Sequence, residues 1–203
     1  ADYVLDEVLK DKRFYEHSNG GVTFSGGEPL MQPFFLLELA RKCKNNSIKL
    51  VLETCGYGDC IKFMPALEYM DMIYFDLKHA NENIHRKLTG ESNRVILDNL
   101  YRIDKLGIKM IIRIPIIPGY NDDTDNLSEI SHIVSKLNSV REVELLAYHN
   151  LGESKYDSLG RKYDLKGLNA PDESLMMKYV AHINEILNPA GKECYYKDSK
   201  SSP

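Results

Sequence analysis

No apolar stretch of this 203-residue chain approaches the ~20 residues that a membrane-spanning helix needs, and no secretory signal opens it. No membrane-spanning helix is expected within these residues. Cysteine is scarce: Cys43, Cys55, Cys60 and Cys194 are few and irregularly spaced, which argues against a disulfide scaffold and for a reducing cytoplasm. A cationic excess is also missing. The formal net charge of -4 gives no electrostatic reason to expect nucleic acid. Neither G-x-G-x-x-G nor a P-loop occurs, so the usual dinucleotide and nucleotide-phosphate cradles are absent. Low-complexity tracts and interdomain linkers are lacking too. Position 1 is Ala rather than Met, and the expectation is that the chain starts inside a longer protein.

What is present is ordinary in bulk, with 43% hydrophobic and 28% charged residues, enough for one sizeable core. The informative pattern is local. Five short apolar runs each end in a polar cluster: Val22 to Ser25 into Gly26-Gly27-Glu28-Pro29, and Ile48 to Leu52 into Glu53-Thr54-Cys55-Gly56. The others are Met72 to Phe75 into Asp76-Leu77-Lys78, Ile108 to Ile112 into Arg113, and Val143 to Ala147 into Tyr148-His149. Such β-branched runs, separated by helical patterns, read as buried parallel strands, and parallel β/α proteins place chemistry at strand carboxyl ends. Five such endings in succession predict one binding site on one rim.

Helical spacing is expected over residues 2–13, 33–44, 60–69, 81–88 and 94–106, with Gly107 closing the last of these. Asn121 to Asp125 reads as a helix start, and Pro171-Asp172-Glu173 opens a final helix to about Leu187. Strands recurring every ~25 to 35 residues fit right-handed βα crossovers, in either an open doubly wound sheet or a barrel segment. Residues 148–170 are long for a connection, and 197–203 form a polar tail after a single domain over 1–196.

Each candidate residue carries two readings. Gly26-Gly27 lets a ligand approach the backbone, and Glu28 offers acceptors to a ligand amine; a tight turn with a solvated carboxylate accounts for them equally. Glu53, Thr54 and Asp76 supply oxygens of the kind hard cations take, or are ordinary side chains bonded to backbone amides. Lys78 stands two residues beyond Asp76, so both point to one side and serve either a ligand or a plain salt bridge. Arg113 is forced toward the pocket by four apolar residues before it and suits a carboxylate. His149 ends the fifth run, where histidine is more often structural. The remaining histidines, among them His79 and His85, read as surface or packing residues, and Cys55 as a small buried apolar group.

Taken in order, these motifs resemble the radical S-adenosylmethionine (SAM) activating enzymes of glycyl radical enzymes, the group that contains pyruvate formate-lyase activating enzyme. The resemblance runs from DKRFY (11–15) and GGVTFSGGEP (20–29) through ETCGY (53–57) and DLK (76–78). It continues through Arg113, IPGYND (117–122) and LLAYHNLGESKY (145–156). It implies a partial (β/α)6 barrel of the TIM-like type, here strands two to six with their helices. It also implies a [4Fe-4S] cluster that binds SAM at the rim and delivers one electron, so that a 5′-deoxyadenosyl radical takes a hydrogen from a glycine of a partner enzyme. By resemblance Gly26, Gly27 and Glu28 meet the methionyl end of SAM, and Lys78, Arg113 and His149 line its carboxylate, ribose and adenine. Glu53, Thr54 and Asp76 match a monovalent-cation site, although some members carry Asp where Glu53 stands. The implied partners are a glycyl radical enzyme and an electron donor such as flavodoxin or ferredoxin.

One departure matters for activity. The family holds its cluster with C-x3-C-x2-C, and no such triplet occurs here. The expectation is a fragment that lacks the first strand and the cluster loop and is inactive alone. Two other readings stand beside it: a SAM-binding or scaffold protein without radical chemistry, and a radical SAM activator of anaerobic ribonucleotide reductase.

Overall fold

A computed structural model describes residues 1–150, 160 and 165–197. Most of the long 148–170 connection, including much of the LLAYHNLGESKY motif, and nearly all of the polar tail lie outside the described residues.

Burial alternates along the second and third strands and the second half of the fourth. Leu50, Leu52, Ile73, Phe75, Ile112 and Ile114 are almost wholly buried, while Val51, Glu53, Tyr74 and Arg113 between them stay partly open; Val143, Glu144 and Leu145 in the middle of the fifth strand are all buried. One face of the sheet therefore forms the core beneath the helices, and the other is half-open and polar. The buried parallel strands expected from the apolar runs are present, with one face sealed and the other partly open. The intervening Glu53, Tyr74, Asp76 and Arg113 belong to a second face with its own chemistry.

The elements are β1 (Gly21–Phe24), β2 (Lys49–Thr54), β3 (Met72–Asp76), β4 (Met110–Ile116), β5 (Val140–Ala147) and β6 (Glu193–Tyr196). Helices α1 (Asp2–Lys10) and α2 (Lys12–Ser18) precede β1. They are followed by α3 (Pro33–Asn45), α4 (Cys60–Leu67), α5 (Glu82–Thr89), α6 (Arg94–Asp104), α7 (Thr124–Ser135) and α8 (Glu173–Leu187). The sheet order is β1 to β6 in chain order, and every neighbouring pair is parallel. A doubly wound sheet reverses its order partway. Sequential order with right-handed crossovers puts all helices on one face and curls the sheet into a partial barrel, so strand order resolves the two topologies that periodicity left open.

The five expected strands are all present, and β6 adds a sixth. Its four residues, ECYY, are too few to show alternation against the turn and tail around them. The single helix expected over 2–13 breaks at Asp11, whose φ of -98° and ψ of 8° end α1 and begin α2. Helix starts follow the capping rule: Asn81, Asp123 and Asp172 side chains accept amide hydrogens from the first turns of α5, α7 and α8. Gly107 lies two residues past the Lys105 cap of α6, at φ +70°.

Buried Asp104 fastens the end of α6 to the entry of β5. It accepts from the Asn138 and Ser139 amides, both at 2.8 Å, and from the Ser139 hydroxyl at 2.7 Å. Burial alone would raise its pKa, but these donors outweigh it and hold the carboxyl below the ordinary value. Its stabilisation is therefore complete above the unfolded-state pKa and lost as pH falls through the lower folded one. Asp104→Asn turns donors toward donors and should cost about 1–3 kcal/mol at neutral pH. In urea melts at neutral and acidic pH, the variant should lose less stability on acidification than the parent.

Candidate functional site

The carboxyl ends of β1 to β5 open onto a cavity of about 420 Å³, within the range of small-molecule sites. Its walls include Gly26, Gly27, Glu28, Glu53, Thr54, Asp76, Lys78 and Arg113. Eight of the nine sequence-derived site residues thus share one space. His149 does not: it is exposed just past β5 and is not part of that lining. Ser25, Cys55 and Leu146 complete the wall.

The ionic groups of the cavity divide into two kinds. Glu28 is fully engaged by its own chain. One oxygen accepts from the Thr54 hydroxyl at 2.6 Å and the Leu30 amide at 3.1 Å, the other from the Cys55 amide at 2.8 Å and thiol at 3.0 Å. Thr54 in turn accepts from the Gly56 amide at 2.8 Å. The carboxylate therefore ties the turn after β1 to the turn after β2. Cys55 is not simply apolar packing: its thiol faces the cavity, and burial with Glu28 beside it pushes its pKa up to about 11.

Arg113 is committed as well. Its side chain bonds Glu53 at 2.7 Å and Glu144 at 2.8 Å, and its guanidinium carbon lies 3.4 Å from the centre of the Tyr74 ring. Asp76, Arg113, Glu144 and Tyr195 are register partners across β3, β4, β5 and β6. One guanidinium thus links β2 to β5 across the open face of the sheet. Burial would lower its pKa, but the two carboxylates hold it above the usual value. Glu53 also accepts from the Ser25 hydroxyl at 2.6 Å; burial would raise it, yet Ser25 and Arg113 hold it below the carboxylate norm. Glu144 and Tyr74 were not singled out in the sequence. Their signal is a charge between Val143 and Leu145 and an aromatic between Ile73 and Phe75, which becomes legible once strands are paired.

Asp76 and the Lys78 ammonium make no side-chain hydrogen bond or ion pair with any described residue. Burial raises the Asp76 pKa, Lys78 and Arg113 offset part of that, and Glu53 and Glu28 add to it. A desolvated carboxylate without donors, beside a lysine without acceptors, is short of partners of both kinds. Gly26, at φ +115°, and Gly27 complete the opening: a Cβ built on either meets no protein atom within 4 Å. Protein packing does not require a glycine at 27.

All three proposed cation ligands line the cavity, but two are otherwise occupied, Glu53 by Arg113 and Thr54 by Glu28, which leaves Asp76 alone. Among the described residues, no group of three or more His, Cys, Asp or Glu side chains is arranged to hold a metal ion. The cysteines do not fit a [4Fe-4S] cluster either. Cys43 and Cys194 are buried in the core, Cys60 is the first residue of α4, and Cys55 stands alone on the cavity wall. His79 and His85 are buried, as packing residues are.

The pattern of the Radical SAM superfamily matches residues 2–129. The pyruvate formate-lyase-activating enzyme of Clostridium pasteurianum is 34% identical over 187 residues, 92% of this chain and 78% of that enzyme. The trans-4-hydroxy-L-proline dehydratase activating enzyme of Clostridioides difficile is 38% identical over 173 residues, 84% of this chain and 57% of that enzyme. The chain thus spans between about three-fifths and four-fifths of these relatives. Among solved structures, a domain of the pyruvate-formate lyase-activating enzyme of Bacteroides vulgatus superposes with a TM-score of 0.70 at 24% identity. That match covers 88% of this chain and 99% of the domain. Streptococcus suis SuiB bound to S-adenosylmethionine gives 0.60 at 14% identity, covering 86% and 36%. Both matches show the fold.

Proposed function

Because the chain belongs to the radical SAM superfamily, and within it to the activating enzymes of glycyl radical enzymes, we propose that its rim cavity binds S-adenosylmethionine for hydrogen abstraction from a glycine of a partner enzyme. The observation that carries this reading is the uncommitted Asp76–Lys78 pair beside the open Gly26–Gly27 turn. SAM offers a carboxylate to Lys78, and hydroxyls and positive charge to Asp76. The three carboxylates and two cations of the wall leave it net negative, which favours a ligand of net positive charge.

Bound there, SAM would supply the 5′-deoxyadenosyl group that takes the hydrogen atom, on accepting one electron from the donor protein. The chain's own residues bind and orient it. Lys78 holds its carboxylate end, Gly26 and Gly27 admit its methionyl end against the backbone, and Asp76 faces its polar centre. Glu28 and Arg113 act one step further out, fixing the turns and strands that shape the wall. No step is assigned to an iron–sulfur cluster, because the cysteines present do not converge. The partner class is a glycyl radical enzyme, with a flavodoxin or ferredoxin as electron donor. Free cysteines, and the lack among the described residues of any helix able to cross a membrane, support placing the protein in the cytoplasm. His149 and the monovalent cation stay in this reading on resemblance alone.

The test is calorimetric titration of the chain with SAM. Lys78→Ala and Asp76→Asn should each weaken binding about tenfold, a loss of about 1.4 kcal/mol. A wild-type chain that takes up no SAM at millimolar concentration would remove the reading. Gly27→Ala separates ligand space from protein packing: its melting temperature should match the parent, while SAM affinity falls about tenfold. Equal affinity in that variant would mean that the ligand does not approach the turn.

A further inference from the structure

Lys78 has an ammonium without a partner among the described residues, on a tightly held base. The main chain of residues 78–80 is gripped by three buried asparagines from three different parts of the fold. Asn121, in the turn after β4, donates to the Lys78 carbonyl at 2.9 Å and the Pro115 carbonyl at 2.6 Å, and accepts from the Ile117 amide at 2.8 Å. Asn126, on α7, accepts from the Ala80 amide at 2.9 Å and donates to the Asn121 carbonyl at 2.8 Å. Asn93, just before α6, donates to the His79 carbonyl at 3.1 Å and the Ala80 carbonyl at 2.6 Å. All three amides are at least 97% buried.

We propose that Asn93, Asn121 and Asn126 are positioning residues for Lys78, joining the turn after β4 and the starts of α6 and α7 into a fixed mount for its ammonium. Buried backbone groups need partners of some kind. Here the partners come from side chains on separate elements, so the base of Lys78 is referenced to β4, α6 and α7 together. A lysine carries large rotamer entropy, and fixing its base reduces what a ligand must order on binding. The contrast is internal to the site. The cavity's other cation, Arg113, is aimed by two carboxylates, whereas among the described residues Lys78 is held through its main chain.

This inference rests on the SAM reading of the cavity, and a double-mutant cycle tests it. SAM affinity is measured for the parent chain, Asn121→Ala, Lys78→Ala and the double variant, with urea melts alongside. Asn121→Ala should weaken binding about fivefold in the parent and less than about twofold in the Lys78→Ala background. The same factor in both backgrounds, or no weakening in the parent, overturns the proposal. Asn126→Ala, one contact further from Lys78, provides the same cycle if Asn121→Ala does not fold. Failure of both to fold would assign the amides to the fold alone.

A second measurement needs no ligand. Lysines are reductively methylated with ¹³C-formaldehyde, which keeps their charge, and the methyl resonances are recorded. The Lys78 signal should stand apart from the surface lysines in the parent and collapse toward them in Asn121→Ala, while Lys10 stays in place. An unmoved Lys78 signal overturns the proposal. A parent chain that binds no SAM but shows the collapse would instead retain the positioning role and reject the ligand.

Discussion

Anaerobic iron–sulfide reconstitution of these 203 residues will leave the protein without a [4Fe-4S] cluster and without reductive cleavage of SAM. Four thiolates, or three with SAM completing the set, must converge within a few ångströms of one another to hold such a cluster. Cys43 and Cys194 are sealed in the core, and burial pushes the Cys194 thiol up to about 12. The Cys55 thiol, at about 11, donates to Glu28. Thiols held this far above neutrality are poor sources of the thiolate that iron requires. The expected outcome is all-or-none: no charge-transfer absorption, no low-temperature paramagnetic signal after dithionite, and no 5′-deoxyadenosine. A reconstituted chain with about four irons that cleaves SAM would overturn the reading. The same chain joined to a segment bearing C-x3-C-x2-C gives the positive control.

Truncating Arg113 should have the largest effect on the fold. Arg113→Ala leaves Glu53 and Glu144 facing each other's charge with no cation between them. Removing one partner of a buried ion pair costs about 3–5 kcal/mol. Glu144 is nearly closed to solvent, but Glu53 is about one-third exposed (side-chain accessibilities 8% and 35%), so screening lowers the expected loss to about 2–4 kcal/mol. The pH dependence gives the mechanism. With Arg113 present, Glu53 is held below its ordinary pKa, so that part of the stability exists above the unfolded value and fades as pH falls through the folded one. Without Arg113, burial and the charge of Glu144 beside it push the Glu53 carboxyl up. The deficit of the variant should therefore shrink on acidification. Urea melts from neutral to mildly acidic pH follow it; a deficit that stays constant or widens would mean that the guanidinium acts by packing alone.

That experiment also marks where the sequence stops being readable. Position at a strand end was legible, because an apolar run that breaks into a charge leaves a clear trace in one dimension. Eight of the nine residues found that way face the same cavity. Allegiance was not legible. Glu28 looked free for a ligand amine, yet its lone pairs are taken up by Thr54, Leu30 and Cys55, which depends on how the turns after β1 and β2 fold toward each other. Arg113 looked free for a ligand carboxylate until Glu144, 31 residues later, came into register beside it. Asp76 and Lys78 were open to a mutual salt bridge, and each is without an ionic partner among the described residues. Strand β6 escaped notice because four residues carry too little periodicity, and the Asn93–Asn121–Asn126 grip because no local rule connects asparagines on different elements.

The agreement between chain order and strand order has a consequence for how the protein comes into being. Each new strand needs only the edge left by the one before it, so the sheet can lengthen step by step as the polypeptide leaves the ribosome. No strand must wait for a later segment to slot in between earlier ones. Every completed unit ends on a backbone edge ready for the next, and growth can stop or continue at that boundary without rethreading what is already built. An architecture assembled in this way accommodates additions at its ends and on its rim loops, as relatives of widely different length require.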